Sequence, residues 1–261
     1  MRDSTGPRSS FARYWLAAAI SSFGTAVTGV AMPVLVVQGL GASPVEVGIV
    51  NAAQLAPYAA LGLIAGVYTD RWRRKPILVG ASLGRAAALG VIPILWTLNL
   101  LTIWHLVVVL NEFGSCSVFG FAATQSLLPR LVPRSRLVQA NARLDQTDAA
   151  AQTLGPALGG GLVGLLGAPA AIAVDAISYL IDAVLIASLQ VDEPRRTSRY
   201  RAMRAEIREG LAWTYRHRTL GPLAASTHVW FLANGAAMTV LALFALRGLG
   251  FSALAFGMLL A

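Results

Sequence analysis

The sequence predicts an all-α membrane protein: a bundle of bilayer-spanning helices, a charged connection, and the opening of a second bundle. Three observations predict it. Of 261 residues, 56% are hydrophobic and 13% charged, where an ordinary soluble domain carries about 25% charged residues. The apolar residues gather into runs of roughly 20 or more, the length a spanning helix needs and about twice that of a barrel strand. The basic residues fall into short clusters between alternate runs, so the net charge of +9 marks membrane topology and predicts no nucleic-acid partner.

The first span is expected at 14–37. The leader MRDSTGPRSSFARYW runs into an apolar stretch longer than the about 7–15 residues of a signal-peptide core, and no A-x-A site follows, so this span is read as retained. Further spans are expected at 46–68, 77–98, 103–125, 144–166, 169–190 and 222–246, with an eighth opening near 252.

All but two of the 21 Lys and Arg precede span 1 or lie in the connections 2–3, 4–5 and 6–7. The connections 1–2, 3–4 and 5–6 hold none. Arg247 stands on the far side and Arg85 inside span 3. This bias orients a multi-pass protein of the inner or plasma membrane with its N-terminus in the cytoplasm. The long 6–7 connection is then a cytoplasmic linker. Met203, Ile207, Leu211 and Tyr215 recur there every four residues, as in an amphipathic helix lying on the inner membrane surface or, equally, in a solvated linker helix. Trp15, Trp96 and Trp104 near span ends fit an aromatic belt. Cys116 is the one cysteine, which leaves no disulfide framework and no CxxC pair.

Residues 39–52, GLGASPVEVGIVNA, and 248–261, GLGFSALAFGMLLA, share six of fourteen positions at an offset of 209. Each follows an apolar span and opens the next in the same direction, so the repeat is parallel.

Four stretches carry a family resemblance. GVYTDRWRRKP (66–76) resembles the major facilitator loop 2–3 signature GxxxDRxGR[RK]: Gly66, Asp70, Arg71, Arg74 and Lys75 match, and Arg73 replaces the usual glycine. QSLLPRLVPRSRLVQANARL (125–144) looks like the span 4–5 connection of the drug- and siderophore-exporter branch, which includes macrolide efflux proteins and the enterobactin exporter. GPALGG (155–160) is similar to the span 5 antiporter signature GPxxGG, through Gly155, Pro156, Gly159 and Gly160, with Ala151 and Ala142 where further glycines stand in the family. EGLAWTYRHRTL (209–220) resembles the end of the exporters' linker. The resemblance implies the major facilitator fold, in which parallel six-helix halves rock about an axis normal to the membrane. The expected organisation is an N-terminal six-helix bundle over 1–190, a linker over 191–219, and span 7 with part of span 8 over 220–261. A full chain of two such halves is expected near ~400 residues, so the sequence reads as truncated, with a C-terminal half as its missing partner.

The resemblance also implies that Asp70 and Arg74 latch the two halves together, while the four cations of this loop, Arg74 among them, serve as a topology anchor in any case. It implies that the GPxxGG kink blocks leak, where plain helix packing is the simpler reading. From the residues themselves, ionisable groups inside a bilayer cost about 2.5–3.5 kcal/mol each and are functional candidates by default. Arg85 and Glu112 lie at similar depths on spans 3 and 4 and are expected to pair. If Glu112 instead faces the cavity, it is a protonatable coupling site, with Asn111 and Ser115 beside it on the pathway. Asp145 and Asp148, one turn apart at the start of span 5, suit a gate or anchor favoured by the helix dipole. Asp175, Ser178 and Asp182 form a stripe expected to hydrogen-bond between helices. Ser21, Thr25 and Thr28 suit either a cavity wall or helix packing, and His105 and His228 suit packing or the interface.

The expected function is a secondary active transporter that exports a hydrophobic small molecule (a drug, macrolide or siderophore), driven by a proton gradient and needing no cofactor or metal. The alternatives are the membrane domain of another transporter or a non-transporting fragment. No HExxH, GxSxG or GxxxxGK[ST] is present, so neither a membrane enzyme nor an ATP site within this chain is expected.

Overall fold

The computed structural model describes residues 7–191, 193 and 203–261. Arg2 and the linker arginines Arg195, Arg196, Arg199 and Arg201 lie outside the described residues. The rest is helical: α1 (Pro7–Val34), α2 (Pro44–Arg71), α3 (Arg74–Thr97), α4 (Ile103–Leu131), α5 (Leu137–Leu166), α6 (Ala168–Ala187), α7 (Met203–Arg216), α8 (Leu220–Leu243) and α9 (Ala253–Leu260). Seven of these helices, some with an adjoining turn, are long and apolar enough to cross a membrane.

Several helices run past the apolar segments that announce them. α4 continues to Leu131 and α5 begins at Leu137, where the apolar runs suggest 125 and 144. A 28-residue helix such as α2 is about 42 Å long at 1.5 Å per residue, against about 30 Å of hydrocarbon. The excess carries the charged residues that hydropathy excludes from a span. α6, at 20 residues, has no such excess.

The helices alternate in direction, which puts the arginine clusters on one face and leaves the other arginine-poor. α1 packs on α5 and α6, α3 on α4 and α6, and α2 on α4. The chain's second segment touches the first through α9 on α5, α8 on α2, and the turn after α8 on the turn after α1.

The apolar core is two clusters. One, nearer the arginine-poor face, gathers Val30, Leu89, Ile92, Leu106, Leu110 and Ile172. The other, toward the arginine-rich face, gathers Tyr14, Leu78, Leu127, Leu128 and Ile186. On α1, α3, α4 and α6 polar residues lie between them, and α6 shows why. Its Asp175, Ser178, Tyr179 and Asp182 are buried, while Ile177, Leu180, Ile181 and Val184 are exposed. Polar groups inside and aliphatic groups outside suit a lipid surround, where a polar side chain gains by finding a protein partner.

α7 packs on α8 and α2. Of its apolar stripe, Ile207 is half-buried and Leu211 and Tyr215 are exposed, as is Trp213.

Candidate functional site

The seam between the two apolar clusters holds a buried polar network. Asp175 is wholly buried; Thr28 Oγ1 donates to its Oδ2 at 2.5 Å and Ser178 Oγ to its Oδ1 at 3.0 Å. Gly24 makes this approach possible, because a Cβ there would collide with Asp175 Oδ1 and Ser178 Oγ. One turn along α6, Tyr179 and Thr25 share a hydroxyl hydrogen bond of 2.6 Å. Since Thr25 Oγ1 also donates to the Ser21 carbonyl at 2.8 Å, Tyr179 is the donor. Asp182 accepts from Ser82 Oγ, and Arg85 Nη2 lies 4.0 Å from its Oδ2.

Arg85 therefore pairs with Asp182, and the expected pair with Glu112 does not form. Its guanidinium turns toward α6, donates to Ser82 Oγ at 3.1 Å and the Ala81 carbonyl at 3.3 Å, and sits 4.3 Å over the Tyr179 ring. A cation drawn into the bundle needs both a counter-charge and acceptors for its remaining N–H groups, and α6 supplies the counter-charge. Asp175 and Asp182 make the interhelical hydrogen bonds expected of this stripe, whereas Ser178 donates within α6, to Asp175. Thr28, buried, and Thr25, exposed, both use their hydroxyls on α6, while Ser21 Oγ only returns to the Ala18 carbonyl at 3.2 Å.

Glu112 is exposed, as is Asn111, and Ser115 is half-buried. Glu112 makes no ion pair with another described residue. Asn111 Nδ2 donates to the Ala53 carbonyl at 3.3 Å, tying α4 to α2, and Ser115 Oγ donates to the Asn111 carbonyl at 2.8 Å.

Asp145 and Asp148 are exposed. Because α5 opens at Leu137, they lie beyond its first two turns, too far in for the helix dipole to favour them. The expected dipole stabilisation is thus corrected by the early helix start. Gln152 Nε2 donates to Asp148 Oδ2 at 2.6 Å, and neither acid forms an ion pair with another described residue.

In the loop between α2 and α3, the charges divide their work. Lys75 Nζ donates to the Leu189 carbonyl at 2.7 Å, closing the end of α6. The backbone N–H groups of Arg74 and Lys75 donate to the two carboxylate oxygens of Glu193 at 3.2 Å each. A carboxylate there satisfies two orphan donors and offsets two cations in the first turn of a helix, which its dipole disfavours. Glu193 was not legible as a site residue; its one signal is an acid just after span 6, ahead of a run of arginines. The Arg74 side chain is buried, with Nε unpartnered. Arg71 closes the last turn of α2. Asp70 beside it is exposed and makes no hydrogen bond or ion pair with another described residue, although an acid is disfavoured at a helix C-terminus. A Cβ at Gly66 would meet open space.

The glycines of α5 serve two neighbours. Gly155 and Gly159 face α1, where a Cβ on Gly159 would come within 2.9 Å of Val27 Cα. Gly160 faces α9, where a Cβ would come within 2.5 Å of the Ala253 carbonyl, and Gly257 of α9 faces the Pro156 carbonyl in return. Pro156 is buried between them. GPALGG thus packs α5 closely on α1 and, across the junction between the chain's two segments, on α9. No group of three or more metal-ligating side chains occurs among the described residues.

The family model of the Major Facilitator Superfamily matches residues 14–261. Multidrug efflux pump Tap of Mycobacterium tuberculosis is 29% identical over 215 residues, covering 78% of this chain and 50% of that protein. Macrolide efflux protein A of Streptococcus pyogenes is 26% identical over 206 residues, covering 77% of this chain and 50% of that protein. The MFS-type transporter YfiS of Bacillus subtilis is 27% identical over 228 residues, covering 85% and 54%. The chain thus spans about half the length of the curated relatives it matches. The family match over nearly all the chain, together with its long apolar helices and no strand among the described residues, places it: the chain belongs to the Major Facilitator Superfamily.

Proposed function

We propose that the chain is the first half and the opening of the second half of a secondary active transporter, and that the full-length protein exports a hydrophobic small molecule by proton antiport. The single observation that carries the export reading is the similarity to two proteins named for efflux, a multidrug efflux pump and a macrolide efflux protein. Alternating access between two halves is how such a protein moves substrate. The arginine-rich face is cytoplasmic on this reading, because clustered Lys and Arg stay inside. α7, with Leu211, Trp213 and Tyr215 exposed, lies along the inner leaflet.

Glu112 is the coupling carboxylate in this proposal. It stands about 14 Å from the start of α4 at 1.5 Å per residue, near mid-bilayer. An exposed carboxylate at that depth is tolerated where it lines a water-filled path and costs several kcal/mol where it faces lipid. Asn111 and Ser115 flank it on that path. Asp70 is one side of a latch between the halves: it stands exposed at the helix end that favours it least, and the anchoring work around it is done by Lys75 and Glu193.

The test is efflux of a fluorescent hydrophobic dye from cells expressing the full-length chain, against Asp70→Asn. The variant is expected to insert normally and to lose efflux. Normal efflux by a normally inserted variant reduces the loop to an anchor.

A further inference from the structure

The two copies of the repeat adopt one conformation. In each, a long helix widens into a five-residue π-turn, Leu35–Gly39 and Phe244–Gly248. A glycine at φ 64° then turns the chain, Gly41 and Gly250, in the left-handed region open to glycine. A serine caps the next helix, Ser43 and Ser252. Even the closing hydrogen bonds correspond: Leu40 N to Leu35 O and Leu249 N to Phe244 O, both 2.8 Å, then Ala42 N to Val36 O at 3.1 Å and Phe251 N to Ala245 O at 2.9 Å.

These two turns touch at the arginine-poor face, and they do so reciprocally. Gln38 Nε2 donates to the Phe251 carbonyl at 3.1 Å. Arg247 Nη2 donates to the Ala42 carbonyl at 2.8 Å. Positions 38 and 247 differ by the repeat offset of 209, and so do 42 and 251. Each copy thus extends the same side-chain position to the same carbonyl of the other, as a two-fold axis between the halves requires.

Two further observations agree. Within α8 and its π-turn, the buried residues are Gly221, Ala242, Ala245 and Leu246, so all but the first border this contact. Arg247 is also the lone departure from the bias that keeps Lys and Arg off this face, and here it has an acceptor.

We propose that Gln38 and Arg247 form a reciprocal clasp that holds the arginine-poor face shut between the two halves, and that the clasp opens when that face admits or releases substrate. Two hydrogen bonds to backbone carbonyls make a lock that each cycle can break. The clasp concerns how this face closes, so it holds for either direction of transport and any coupling ion.

The test uses the full-length chain in membrane vesicles, with Cys116→Ala and the fully buried Ala245 replaced by a reporter, Ala245→Cys. The rate of labelling by an impermeant maleimide applied to the arginine-poor face reports opening. Gln38→Ala is expected to raise that rate about five-fold, the factor a lost neutral hydrogen bond is worth, and Arg247→Ala about ten-fold or more, because its hydrogen bond is charged. The exchange Gln38→Arg with Arg247→Gln is expected to return it to the parent rate, because the two positions are equivalent. An unfolded variant is not rescued by exchange. An unchanged rate in either single variant, or an exchange variant that labels as fast as the singles, overturns the clasp.

Discussion

Arg85 is a half-buried cation that faces the buried Asp182, and that makes its removal costly in a particular way. Arg85→Ala strands Asp182 among apolar side chains with only Ser82 to donate to it. Breaking a buried pair by removing one partner costs about 3–5 kcal/mol, so the midpoint of thermal unfolding in detergent should fall clearly. Arg85→Met combined with Asp182→Leu removes both charges and should recover much of that loss. A double variant no more stable than Arg85→Ala would show that Arg85 does not neutralise Asp182. Asp70 is the contrasting case, since it contributes no contact to the described fold. Asp70→Asn should leave the same unfolding midpoint unchanged within about 0.5 kcal/mol, as an exposed substitution does, while abolishing transport. A large fall in stability would mean that Asp70 is structural. Why Arg85 was misassigned by sequence is physical: depth along a helix follows from counting residues, but azimuth does not. Span 3 has α4 on one side and α6 on the other, and helix rotation alone decides which neighbour's acid Arg85 meets.

Helices were legible to the extent that they are apolar. Every expected span corresponds to a helix, and each differs where charged turns extend it beyond the hydrocarbon, as in α4 and α5. Small-residue packing was legible as a pattern in GPALGG but not its direction, because which glycine meets which neighbour depends on helix rotation. The structure makes that distinction testable on one helix. Gly159→Leu drives a side chain into the Val27 backbone of α1, whereas Gly164→Leu enters open space. Overpacking of this kind costs about 1–3 kcal/mol, so Gly159→Leu should lower the unfolding midpoint and Gly164→Leu should leave it unchanged. Equal effects at the two positions would contradict the α1–α5 contact. Gly24→Val applies the same reasoning to α1 and α6: it should separate Thr28 from Asp175, and a variant as stable as the parent would place the hydrogen-bonded seam elsewhere.

At the scale of the molecule, the parallel repeat proved the most informative stretch of sequence. Six identities in fourteen positions announced two turns that share backbone conformation, cap and hydrogen bonds. What the pattern left unread was that the copies meet, since that contact depends on one glutamine and one arginine at positions that are not identical. The halves described here touch on the arginine-poor side, through the paired turns and through α5 against α9. Exposed Glu112 stands outside those contacts and outside the Arg85 network, free for the coupling role proposed for it. That role is the centre of the account, and one measurement addresses it directly: uptake of a fluorescent hydrophobic dye by inverted vesicles carrying the full-length chain, energised by an imposed proton gradient. The account predicts that uptake follows the gradient, collapses on adding an uncoupler, and is lost in Glu112→Gln. Dye uptake that continues undiminished with the uncoupler present would contradict it.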